Sequence, residues 1–257
     1  MSVETVCHHG RTTAYRVDDG PGPAVLFVHG SGGERGLWRG QRRLDATTVS
    51  LDLSGHGDSD DISADAGYET LSAYADDVVA VAEATDATVL CGSSLGGAVC
   101  LHLAIERADE VPLDALVLAG TGPRLPVLDD LLRWLEDDFE RAVEFLHEPD
   151  HLFHRADEAT LAASREAMRT TGRDVTVRDF RTCHRFDVRE RLGDVSVPSL
   201  ALVGEYDRLT PRRYHEELTV SIPDCELGLV EDAAHLAMLE RPTAFNTAVE
   251  TFLDRRV

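Results

Sequence analysis

Ser94 stands at the centre of Gly92-Ser93-Ser94-Leu95-Gly96, between a short apolar run ending at Cys91 and a helix-like run from Gly97 to Ile105. A chain that turns from strand to helix at one residue strains that residue by about 1–3 kcal/mol. Gly92 and Gly96 remove the Cβ atoms that would collide around such a turn. The hydroxyl then stands at the head of a helix, where free N–H groups and the dipole favour a developing negative charge. A serine used as a nucleophile needs a base to take its proton and an acid to orient that base. Asp207 ends Val203-Gly204-Glu205-Tyr206-Asp207, and His235 ends Glu231-Asp232-Ala233-Ala234-His235; each lies just beyond an apolar run. They are the expected acid and base, with Asp232 and Glu205 as reserve acids. In Val28-His29-Gly30-Ser31-Gly32-Gly33 the glycines let the main chain approach a ligand. The N–H groups of Ser31 and Leu95 are expected to converge there on one oxygen. His29 is expected to brace this loop through a hydrogen bond rather than to react.

These residues can act together only if a sheet carries them to one end. Residues 3–7 and 12–17 predict an opening hairpin. Residues 24–28, 47–52, 87–91, 115–119, 199–203 and 225–230 predict further strands. Several are continuously apolar, as in strands buried on both faces of a parallel sheet. Between residues 69 and 85, Leu71, Tyr74, Ala75, Val78 and Ala82 recur at helical spacing. A last helix is expected from about Pro242 to Leu253. Strands alternating with helices imply an α/β fold with a mostly parallel, doubly wound sheet. Residues 121–197 break the rhythm, with many charges, no convincing strand and helical stretches around 131–146 and 159–168. The expected organisation is a core of residues 1–120 and 198–257 with a helical cap, 121–197, inserted after the sixth strand. Apolar cap positions such as Leu131, Leu135, Val143, Phe145 and Leu146 are expected to divide between lining a pocket and packing on the core.

The chain has 47 acidic and 25 basic residues, a formal charge of −22, and every base is arginine. Such acidity argues against nucleic acid and anionic membranes as partners. It suits a salt-rich cytoplasm, where screening removes the self-repulsion. Cys7, Cys91, Cys100, Cys183 and Cys225 are scattered and form no C-x-x-C pair, so buried, reduced thiols of a cytoplasmic protein are expected. Residues 1–10 are polar, and neither a signal peptide nor a membrane span is expected. His147, His151 and His154 have helical spacing, but Pro149 interrupts them and acidic neighbours point to a solvated stretch, so no metal is expected. Gly30-Ser31-Gly32 follows a strand as in a dinucleotide site, but the third glycine's position holds Arg35. No cofactor is called for.

Over nearly its whole length the chain resembles the α/β-hydrolase-fold superfamily, in its small-cap serine esterase-like form. The segments that carry the resemblance are His29-Gly30-Ser31-Gly32-Gly33, Asp52-Leu53-Ser54-Gly55-His56-Gly57-Asp58-Ser59, Gly92 through Gly97, Val203 through Pro211, and Ala234-His235. The order Ser94, Asp207, His235 is the order nucleophile, acid, base of that fold. The resemblance implies a carboxylesterase-type serine hydrolase acting through an acyl-enzyme on a small-molecule ester, as monomer or dimer. A thioesterase or acyltransferase, a C–C bond hydrolase and a cofactor-free perhydrolase use the same residues. An inactive ligand-binding relative is the non-enzyme alternative. A serine rather than aspartate nucleophile argues against dehalogenase or epoxide hydrolase chemistry.

Overall fold

The first two apolar runs fold onto each other. β1 (Glu4–His8) and β2 (Arg11–Asp18) pair antiparallel around His9 and Gly10, both at positive φ, as tight hairpin turns demand. The computed structural model describes residues 3–257, so the first two residues of the polar 1–10 stretch, read for a leader, lie outside it. Beyond the hairpin come β3 (Ala24–Val28), β4 (Thr47–Leu51), β5 (Val89–Ser93), β6 (Ala115–Ala119), β7 (Ser199–Gly204) and β8 (Cys225–Val230). The sheet order is β1-β2-β4-β3-β5-β6-β7-β8, parallel from β4 to β8.

Alternation along β3 shows how the sheet is buried. Leu26 and Val28 face a core with Val78 and Leu101, from α1 (Tyr68–Thr85) and α2 (Leu95–Glu106). Val25 and Phe27 face the other core, with Trp38, Phe245 and Phe252. Apolar residues on both sides are what a covered parallel sheet requires. α2 is buried from Leu95 to Ile105, the state expected of a helix that is apolar all round.

Four α-helices lie between β6 and β7: α3 (Asp129–Asp137), α4 (Phe139–Leu146), α5 (Glu158–Thr171) and α6 (Arg173–Arg185). They share an apolar cluster that includes Leu135, Val143 and Leu146. α7 (Arg212–Ser221), α8 (Ala237–Glu240) and α9 (Pro242–Arg256) complete the chain. Among the described residues no helix is long and apolar enough to cross a membrane.

Three expectations are corrected. α6 escapes a hydropathy reading because its buried face is largely polar, with Thr176, Asp179 and Thr182 inside. Only Cys91, Cys100 and Cys183 are buried; Cys7 is exposed and Cys225 half-buried, because β1 and β8 are the two edges of the sheet. The His147–His154 stretch is not solvated surface. α4 ends at Leu146, so the three histidines share no helix face, and His147 is buried against the Val143 carbonyl (2.7 Å) and the Ser164 hydroxyl (3.0 Å).

Candidate active site

β5 ends at Ser93 and α2 begins at Leu95, leaving Ser94 alone to make the turn at φ 54°, ψ −116°. A Cβ on Gly92 would collide with the Gly96 carbonyl, and one on Gly96 with the Val28 carbonyl. The strained backbone is held from β6 and the residues after it. Ser94 N–H donates to the Ala119 carbonyl (3.0 Å), and the Thr121 hydroxyl donates to the Ser94 carbonyl (2.9 Å). Neighbouring Ser93 is fully buried and its hydroxyl has no partner.

Asp207 and His235 lie on the loops after β7 and β8. Asp207 Oδ2 accepts from His235 Nδ1 (2.9 Å) and from the Thr210 hydroxyl (2.7 Å). Oδ1 accepts from the N–H groups of Leu209 (2.9 Å) and Thr210 (2.8 Å). Burial works to raise the Asp207 pKa, but the charge of His235 and these hydrogen bonds outweigh it and hold it below the usual carboxylate value. With Nδ1 committed to Asp207, Nε2 is the nitrogen of His235 left to exchange protons. Glu205 and Asp232 are exposed and meet each other, the Asp232 N–H donating to Glu205 (3.1 Å). Neither bonds to His235 among the described residues.

Ser94 and His235 line one cavity of about 830 Å³. The Ser94 hydroxyl makes no hydrogen bond to protein among the described residues, His235 included; such bonds often tighten only when substrate is bound. Gly30 lies against Ser94, where a Cβ would sit 3.0 Å from the serine Cβ. The N–H groups of Ser31 and Leu95 donate to no protein acceptor among the described residues. His29 accepts from Leu53 N–H at Nε2 (3.0 Å) and donates from Nδ1 to the Gly30 carbonyl (2.8 Å). Burial, then the neighbouring His56, pulls its pKa down to about 3, so the ring stays neutral.

Leu131, Phe145, Met168 and Phe180 of the inserted helices line the cavity, while Leu135, Val143 and Leu146 pack the insertion's own core. His151 also lines it, its Nδ1 donating to the Phe145 carbonyl (2.7 Å) and its own carbonyl accepting from His235 N–H (3.3 Å). Glu240 joins the same loops, accepting from the N–H groups of Ala234 (2.7 Å), His154 (2.9 Å) and Arg155 (2.7 Å). A sequence reading misses Thr121, Thr210, His151 and Glu240. Only Thr210 carries a local signal, three residues after an aspartate, as in side-chain-closed turns. Among the described residues no group of three His, Cys, Asp or Glu is placed to hold a metal ion.

A family model described as the alpha/beta hydrolase family matches residues 25–248. A pimeloyl-(acyl-carrier protein) methyl ester esterase of Vibrio atlanticus is 25% identical over 265 residues, covering 95% of this chain and 99% of the relative. A 3-oxoadipate enol-lactonase of Acinetobacter baylyi is 25% identical over 271 residues, covering 95% and 94%. A solved thermophilic esterase superposes with a TM-score of 0.87 at 30% identity, covering 99% of this chain and 98% of that one.

Proposed function

The chain belongs to the alpha/beta hydrolase family, and from that premise we propose that it hydrolyses carboxylic esters of small molecules through an acyl-enzyme on Ser94. One observation carries this reading: the Asp207–His235 bond leaves Nε2 of His235 open toward the cavity that Ser94 also lines. His235 takes the Ser94 proton as the hydroxyl oxygen attacks the ester carbonyl, and Asp207 holds the ring in the tautomer that can do so. The Ser31 and Leu95 N–H groups, without protein acceptors, receive the oxyanion. The proton then passes from His235 to the leaving alkoxide, and water repeats the sequence to release the acid.

Residues 121–197 act as the cap in this reading. Leu131, Phe145, Met168 and Phe180 give the cavity an apolar wall, which favours an ester with a sizeable apolar group over a small polar one. Labelling with a fluorophosphonate followed by peptide mapping should place the adduct on Ser94, and p-nitrophenyl esters should be turned over, butyrate and longer better than acetate. Adduct on Ser93, or no adduct and no turnover, would refute the assignment.

A further inference from the structure

The loop proposed to hold the oxyanion has almost no side chains of its own. Gly30 and Gly33 close a four-residue turn, Gly33 N–H donating to the Gly30 carbonyl at 3.1 Å, with Gly32 at φ +66° in its third position. A positive φ there belongs to turns whose central peptide is inverted. Glycine tolerates either orientation of the Ser31–Gly32 peptide, so the turn alone does not settle which way that plane faces.

The side chains that settle it come from the inserted helices. Asp179 of α6 is fully buried, and its Oδ2 accepts from Gly32 N–H (3.2 Å) and from His56 Nε2 (2.9 Å). Its Oδ1 accepts from the Tyr74 hydroxyl at 2.6 Å. One turn further along α6, the Cys183 thiol touches the Ser31 hydroxyl at 3.6 Å. From α5, Met168 occupies the space beside Gly32, 3.1 Å from where a Cβ would stand.

We propose that Asp179 is a positioning residue for the oxyanion loop: by fixing Gly32 N–H it locks the Ser31–Gly32 peptide, and with the Gly30 carbonyl tied to Gly33 N–H this holds the adjoining Gly30–Ser31 peptide, whose N–H is aimed at the reacting oxygen. The inference rests on the reading of Ser31 as an oxyanion donor. Asp179 touches no substrate; it acts through the loop. A donor aimed wrongly by about 1 Å costs up to about a hundredfold in rate.

The test compares two variants of the same helix. Asp179→Asn keeps the shape but leaves one acceptor oxygen to face either Gly32 N–H or the Tyr74 hydroxyl. Thr182→Val removes a buried anchor of α6, the hydroxyl that accepts from Gly67 N–H (2.9 Å), and leaves the loop untouched. Active sites are titrated with a fluorophosphonate, so that misfolded protein does not count. Per titrated site, Asp179→Asn should lower kcat for p-nitrophenyl butyrate about tenfold to a hundredfold, with KM little changed. It should also weaken a trifluoromethyl ketone, which forms a tetrahedral oxyanion on serine, while sparing a product-like carboxylate. Thr182→Val should lower the melting temperature and leave kcat per site as it was. The proposal is overturned if Asp179→Asn loses only active fraction, or if Thr182→Val lowers kcat equally. Should Asp179→Asn not fold, the Gly32 amide proton of the unmodified protein decides. It should resonate far downfield and move when the ketone binds; an ordinary shift indifferent to the ketone overturns the proposal. Wild-type protein that is neither titrated nor active on esters would refute the Ser94 reading instead.

Discussion

Among the described residues, two buried Asp–His pairs are joined by bonds of the same 2.9 Å length. In the first, Asp207 holds Nδ1 of His235 and the other nitrogen opens onto the cavity. In the second, Asp179 holds Nε2 of His56, and Nδ1 is closed off by the Ser54 carbonyl at 3.2 Å. Burial pulls the His56 pKa down, but the charge of Asp179 and the hydrogen bonds at both nitrogens outweigh it and leave it raised. Both nitrogens of His56 are therefore occupied and its charged form is favoured, whereas His235 keeps a nitrogen that no protein group occupies. The carboxylate–imidazole bond does not by itself distinguish the proposed base from a brace. The partner of the second nitrogen does.

The contrast breaks first at Ser94, the group the open nitrogen is proposed to serve. Ser94→Ala should lower kcat/KM by about 10⁶ without unfolding the protein, as judged by ester turnover and circular dichroism, while Ser93→Ala should be far milder. Next comes an exchange of one member in each pair. Asp207→Asn should cost about 10⁴ in kcat, through the wrong tautomer. His56→Gln should instead appear as stability, about 3–5 kcal/mol for a broken buried pair, with kcat per titrated site down by at most about a hundredfold. Equal losses of kcat in the two variants would erase the distinction.

Acid sharpens it further. Burial holds His29 and His215 neutral down to about 3 and about 4, whereas unfolded imidazoles take a proton near 6.5. Between those values the unfolded chain binds more protons, so stability falls as pH is lowered from 6.5 toward 4. The depressed carboxyls of Asp207 and Asp179 act in the same direction below their ordinary 3.8. His56 has the opposite sign: its stabilisation is complete below 6.5 and is lost as pH rises through its raised pKa. Melting temperature should therefore fall on acidification, and a rise would mean that raised groups such as His56 dominate. The smallest effect is that of salt. From 0.01 M to 1 M the screening length shrinks from about 30 Å to about 3 Å, which should relieve a surface of charge −22 and raise the melting temperature. A flat profile in KCl would separate the acidic surface from any adaptation to salt.

How far each pair was legible in sequence follows from how local its signals are. Ser94, Asp207 and His235 each follow a strand, and Gly92 and Gly96 mark the turn around Ser94. Asp179 has no such signal. It sits on a helix whose buried face is polar, and its partner Gly32 lies 147 positions away. The His147–His154 stretch failed as a surface reading because the acidic neighbours Glu148 and Asp150 carry no sign that His147 turns inward, to the Val143 carbonyl and the Ser164 hydroxyl. The sheet was legible down to its hairpin because buried strands announce themselves by composition. The outer strands' cysteines were not, since no residue states that its strand is an edge.

The 147-position span between Gly32 and Asp179 also orders events in time. A chain emerging from the ribosome presents the glycine loop and the strained serine early, while Asp179, Asp207 and His235 are still unmade. Closing so long a loop is slow, because its entropy is lost before the contact rewards it. Esterase activity should therefore be among the last properties acquired on folding, trailing the formation of the sheet, and its appearance reports finished topology rather than a finished serine turn.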